Sequence, residues 1–162
     1  MRTFFLWSVL LVACTSAAPA PTGASCPDPN NPQLTWANFG SDFMCHYCTT
    51  CHDSGLKISM RNGAPLFHDL DSFIGVMEVA KHTDAQAGFG PKAHNTFMPG
   101  GGTGGRCPTT PGGPLDRDCL EPTDEERTNL ATFLACEVAR PQDYQGSDAA
   151  FTDHCASYTG PR

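Results

Sequence analysis

The sequence predicts a small all-α domain of about three core helices joined by long loops. Apolar side chains recur at helical spacing in three stretches: from about Thr35 to Tyr47, from Asp69 or Asp71 to about His82, and from Thr123 to near Cys136. Between them the chain is irregular and carries most of its 16 glycines and half of its 14 prolines. The 162 residues leave room for one domain of about 100 residues plus a leader and a linker.

The leader comes first. One cation, Arg2, is followed by an apolar run from Phe4 to Ala13, which has signal-peptide length and is too short to span a bilayer as a helix. The run ends in Leu11-Val12-Ala13-Cys14, which resembles the bacterial lipobox. That resemblance implies cleavage before Cys14 and acylation of its sulfur, so that residues 1–13 are lost and the chain hangs from a membrane by lipid. Ordinary cleavage near Ala17 or Ala18 is the competing reading, set against it by Pro19 and Pro21. Residues 14–32 then read as a flexible tether of Pro, Ala, Ser, Thr, Gly and Asn, its end stapled back by Cys26.

The domain is expected over 33–140. Trp36, Phe39, Phe43, Met44 and Tyr47 form the apolar side of its first helix, with Thr35 as N-cap. That helix delivers Cys48-Thr49-Thr50-Cys51-His52, the signature of covalent haem attachment. The spacing follows from the chemistry: two thiols reach one porphyrin, and the next imidazole becomes an axial iron ligand. A zinc knuckle competes, because Cys45, Cys48, Cys51 and His52 offer a Cys3His set. All four would then crowd into eight consecutive residues, which strains a tetrahedral site.

Trp36-Ala37-Asn38-Phe39-Gly40 with Phe43, followed by Tyr47-Cys48 and Cys51-His52-Asp53-Ser54, resembles the start of a class I c-type cytochrome domain in its bacterial lipoprotein form. The resemblance implies a cytochrome c-like fold around one haem c. It assigns a proline about where Pro65 stands, in Gly63-Ala64-Pro65-Leu66, to lend its carbonyl to the Nδ1-H of His52. It also implies a distal ligand on the loop between the second and last helices, where Phe97-Met98-Pro99 offers Met98, with Gly100 in place of the commoner second proline. His94 is the rival and His82 a more distant one. Arg61 is read either as a partner for a haem propionate or as a solvated cation.

In the second helix, Phe73, Ile74, Val76, Met77, Val79 and Ala80 fill most of one side, and Gly75 suggests a close approach, for which the porphyrin is the candidate. Met77 reads as core. The last helix opens on a capping box, Thr123 with Glu126, and buries Leu130, Phe133 and Leu134. The family crosses its first and last helices at an aromatic–glycine contact, for which Phe133 against Gly40 or Phe39 is the candidate. Residues 141–162 form an irregular tail, with Tyr144, Phe151 and Cys155 as anchors.

Of nine cysteines, Cys14 is reserved for lipid and Cys48 and Cys51 for haem. Cys26, Cys45, Cys107, Cys119, Cys136 and Cys155 remain, an even number suited to disulfides in an oxidising compartment. Cys107 and Cys119 bracket a Pro/Gly-rich insertion and are expected to pair. Cys45 with Cys136 and Cys26 with Cys155 is one assignment of the other four, which the sequence leaves open.

Seventeen acidic against ten basic residues give a formal charge of −7, which argues against nucleic acid and suits docking to a basic partner. No Ser/His/Asp triad, paired-carboxylate motif or phosphate-binding loop occurs, and the glycines from 100 to 105 form no Walker pattern. The expected function is non-enzymatic: a membrane-anchored periplasmic monohaem cytochrome, favouring the outer membrane, that passes single electrons between periplasmic or membrane redox proteins. A haem-based sensor or ligand binder, and a zinc- or disulfide-stapled surface module without haem, are the alternatives.

Overall fold

The structure, a computed structural model, describes residues 19–99, 107–108, 115–116, 121–140 and 152–156. Cys14 and the leader lie outside the described residues, as do Cys119, Tyr144 and Phe151. The first helix begins where expected. Thr35 Oγ1 accepts from the Asn38 amide, and Asn38 Oδ1 accepts from the Thr35 amide at 2.7 Å, a reciprocal cap. The first turn, Trp36–Gly40, is wound as a wider π-helix and runs without interruption into α1, Ser41–Tyr47.

A short 3₁₀ turn, Ile58–Met60, follows in the loop after the cysteine–histidine motif. The second helical stretch differs from expectation at both ends. Its cap is Ser72, whose Oγ accepts from the Gly75 amide, because Asp71 is engaged by Ser54 and Asp69 by Arg61. It is also two helices, α2 (Phe73–Glu78) and α3 (Ala80–Ala87), separated at Val79 with φ −117° and ψ 17°. The sequence conceals α3 because its buried positions, Ala80, Thr83 and Ala87, are small or polar. Gly75 does mark a close approach, but to the chain itself: a Cβ there would collide with the carbonyl oxygen of Asp69.

The last helix, α4, spans Asp124–Ala139 and has the expected Thr123–Glu126 capping box. Leu130, Phe133 and Leu134 pack with Phe43, Met44, Leu70 and Val76 in one core, and Met77 joins its margin. The π-wound first turn and α4 meet through Phe133. A Cβ on Gly40 would lie 2.5 Å from Phe133 Cζ, and the Phe39 and Phe133 ring centroids are 6.0 Å apart. The glycine is what allows this approach. The only ladder among the described residues is a two-residue antiparallel pair, β1 (Cys107–Pro108) with β2 (Leu115–Asp116), so the architecture is helical. The expected Cys107–Cys119 bridge falls outside the described residues.

Among the described residues there are two disulfides, with partners exchanged relative to the assignment above. Cys26 bonds Cys136, and Cys45 bonds Cys155, with Cα–Cα distances of 4.5 and 5.3 Å. The reason is which segment covers which helix. The N-terminal segment reaches the C-terminal part of α4, whereas residues 152–156 lie over α1, where His154 packs edge-on against Trp36.

Part of the stretch expected as a flexible tether is packed against the domain. Thr22 is fully buried, its amide and hydroxyl donating to Asp84 of α3 at 2.9 and 2.6 Å, and its carbonyl accepts from the Lys92 amide. Asn95 Nδ2 donates to the Ala20 carbonyl at 2.7 Å. The described chain is therefore anchored from Ala20 onward. No helix among the described residues is long and apolar enough to cross a membrane.

Candidate haem-attachment site

The motif prolongs α1 by one loose turn. The amides of Cys48 and Thr49 donate to the Met44 carbonyl, and the His52 amide donates to the Cys48 carbonyl at 3.0 Å. That last bond spans four residues, as in a helix. Thr49 fastens the turn, its buried hydroxyl donating to the Cys45 carbonyl at 3.1 Å. Cys48 and Cys51 are both free thiols. Burial, reinforced by the neighbouring Cys51 and opposed by Arg127, pushes the Cys48 thiol up to about 12. It is therefore protonated at neutral pH. Because Cys45 is bonded to Cys155, the Cys3His zinc set lacks one of its four sulfur and nitrogen donors.

Nδ1 of His52 lies 2.8 Å from a backbone carbonyl, as expected, but that carbonyl belongs to His68 and not to Pro65. The Pro65 carbonyl is taken by Arg61, whose Nη2 donates to it at 2.9 Å. Burial is the main influence on the His52 imidazole and holds its pKa below the usual histidine value. The ring is thus neutral, and with Nδ1-H donated to His68 the lone pair resides on Nε2.

Arg61 is neither solvated nor open to an external carboxylate. It is 1% exposed, pairs with Asp69 at 2.7 Å, and donates to the carbonyls of Asp53, Pro65 and His68. One buried guanidinium thus gathers the loop from 53 to 69 around His52. Nothing in the spacing of Arg61 distinguished it from a surface cation.

The second loop is held by another buried arginine that sequence reasoning passed over. Arg127 of α4 is 2% exposed, and its Nη1 donates to the carbonyls of Ala87, Asn95 and Met98 at 3.1, 3.1 and 2.7 Å. Its guanidinium also lies 5.7 Å from the Phe89 ring centroid. One signal was available: Arg127, Leu130 and Leu134 share the buried stripe of α4, so the arginine occupies an inward position. The Met98 amide donates to the Gln86 carbonyl, which fixes both sides of that residue's backbone. Its side chain packs, half-buried, against the core cluster, as does Cys48.

The rival ligands are placed elsewhere. His94 is exposed and stacked on Phe89, 4.6 Å between centroids and 9° between planes. His82 is exposed on α3, with its ring edge-on to His68 at 5.0 Å. Comparison with protein-family models, with curated proteins and with solved structures returned no match.

Proposed function

We propose that the chain is a single-haem c-type electron carrier of class I type, held to a membrane by a lipid on Cys14 and working between redox partners in the periplasm. The observation that carries the proposal is the state of His52. A neutral imidazole with Nδ1 tied to a carbonyl keeps its other nitrogen for a metal, a bond that also fixes the ring orientation and raises its basicity. Two free thiols precede it at the spacing that thioether attachment requires, while Cys26, Cys45, Cys136 and Cys155 are all in disulfides. The donor set therefore fits a haem better than zinc.

In this reading Cys48 and Cys51 would hold the porphyrin covalently, and His52 and Met98 would supply the nitrogen and sulfur donors to its iron. The haem supplies a one-electron change at iron, and His/Met ligation raises its potential relative to bis-His ligation. The chain's own contribution is rigidity. Arg61 and the His68 carbonyl orient the imidazole on one loop, and Arg127 and Gln86 hold the Met98 backbone on the other. Ligands fixed in this way stay in place when the charge changes, which suits a carrier. The Gly40–Phe133 crossing supports the class I reading, as does the half-buried Met98 beside an outward-facing His94. The disulfides agree with an oxidising compartment, and the negative charge suits a basic docking partner.

Carrier and sensor are separated by the sixth site. The reduced protein is expected to bind CO weakly and slowly, and Met98→Ala to bind it readily with a changed spectrum. Rapid CO binding by the unaltered protein, with Met98→Ala spectroscopically unchanged, would favour a ligand-binding role instead.

A further inference from the structure

Residues 152–156 bring a third carboxylate to a pair that the electron-carrier reading leaves unused. Asp53 follows the haem motif, Asp71 stands just before α2, and Asp153 belongs to the C-terminal segment. One oxygen from each lies within 4.8 Å of the others. Such a group of acids signifies nothing by itself, but Asp71 is 1% exposed and its carboxylate is only half satisfied. Oδ2 accepts from the amide and hydroxyl of Ser54, whereas Oδ1 is buried with no hydrogen-bond partner. A buried anionic oxygen without a donor is costly, and the cost rises with two further carboxylates beside it. The nearby guanidinium of Arg61 is directed at Asp69 and at backbone carbonyls, including that of Asp53.

The chemistry of the cluster selects the missing partner. Its donors are carboxylate oxygens, with no sulfur or imidazole among them, which suits a hard divalent cation. Of the hard divalent cations, Ca2+ accepts several protein carboxylates in a flexible geometry, whereas Mg2+ demands a near-ideal octahedron and keeps most of its water. The turns also pre-position the acids. Asp153 Oδ1 accepts from the amides of Cys155 and Ala156, Asp53 Oδ1 accepts from the Gly55 amide, and the His154 amide donates to the Asp71 carbonyl at 2.9 Å.

We propose that Asp53, Asp71 and Asp153 bind one Ca2+, which ties the loop after the haem motif, the entry to α2 and the C-terminal segment to one another. The Cys45–Cys155 disulfide limits how far the third ligand can move, so the cation completes a clasp that is already half closed. This site is independent of whether haem is attached.

The test is calorimetric titration of CaCl2 into the full mature chain, disulfides intact and divalent ions stripped, with thermal unfolding in parallel. One Ca2+ per chain is expected. At a free concentration about a hundred times Kd, the unfolding midpoint should rise by about 5–10 °C. Asp71→Asn and Asp153→Asn should each weaken binding at least tenfold, and MgCl2 should bind at least tenfold more weakly than CaCl2. Asp153 is exposed, so Asp153→Asn carries the test should Asp71→Asn fail to fold. Absence of heat and of any midpoint shift at about 10 mM Ca2+, tenfold above the weak end of extracellular calcium sites, would overturn the proposal. Undiminished binding in Asp153→Asn would overturn it equally.

Discussion

Replacing Arg127 by methionine tests whether one buried cation organises the loop that carries Met98. The substitution keeps an apolar stem of similar reach on α4 and removes the donors to Ala87, Asn95 and Met98. Nη1 carries two hydrogens for three carbonyls, so two full charge-assisted bonds are the fair count. At about 1.5–3 kcal/mol for each bond to a charged group, the loss is about 3–6 kcal/mol. Removal of a desolvated cation returns part of that, leaving about 2–4 kcal/mol. Urea unfolding measures the total. Amide hydrogen exchange locates it, with the amides of Phe89, Asn95 and Met98, which bond Arg127, Gly88 and Gln86 carbonyls, losing more protection than those of α1. In the haem-loaded protein the Met98 ligation signature should weaken together with that protection. A stability loss below about 0.5 kcal/mol, within the range of ordinary surface substitutions, with exchange unchanged around 88–98, would refute the role given to Arg127.

Three further outcomes follow from the same contacts. Gly40→Ala places a methyl 2.5 Å from a fully buried Phe133 ring, so overpacking exceeds the gain in helix propensity and stability falls by about 1–2 kcal/mol in urea; equal or greater stability would contradict the close crossing. Digestion of the unreduced protein should yield the Cys26–Cys136 and Cys45–Cys155 peptides, and loss of either bridge, each spanning 110 residues, should cost up to about 5 kcal/mol through the unfolded chain; Cys45–Cys136 peptides would refute the pairing. For Glu126, burial raises the carboxyl pKa, but donation from the Thr123 amide and hydroxyl and from Tyr47 outweighs it and the net shift is downward. Its contribution is therefore fully present above the unfolded value of about 4.5 and disappears as pH falls through the lower folded value. The difference between wild type and Glu126→Gln, about 0.3–1 kcal/mol for an acid in the first turn, should be seen at pH 7 and shrink as pH falls below about 4.5.

Those parts of the fold that depend on local pattern were legible in the sequence. Thr35 and Thr123 cap their helices because a hydroxyl before an apolar period serves orphan amides wherever it occurs. The meeting of Phe133 with Gly40 was implied by the family resemblance, and the absent Cβ is what lets the ring approach. The misreadings arose where tertiary partners decided. Asp71 does not cap α2 because Ser54, distant in sequence, takes its carboxylate. The carbonyl opposite His52 Nδ1 is that of His68 and not that of Pro65, because Arg61, donating to both carbonyls, folds the loop so that His68 is the one beside the ring. Both involve a loop whose conformation is set by a buried guanidinium, and a cation in a loop looks the same in sequence whether buried or solvated. The disulfide partners were similarly hidden, since parity counts cysteines without saying which segment lies across which helix.

The account turns on His52 and the two thiols before it, and intact mass spectrometry of the mature protein, made in cells competent for haem attachment, tests them most directly. The account predicts a red protein whose mass includes one covalently retained haem, with the haem on the peptide containing Cys48 and Cys51 and absent from a Cys48→Ser, Cys51→Ser double variant. A colourless chain bearing only its lipid, with both thiols free or joined to each other, would contradict it.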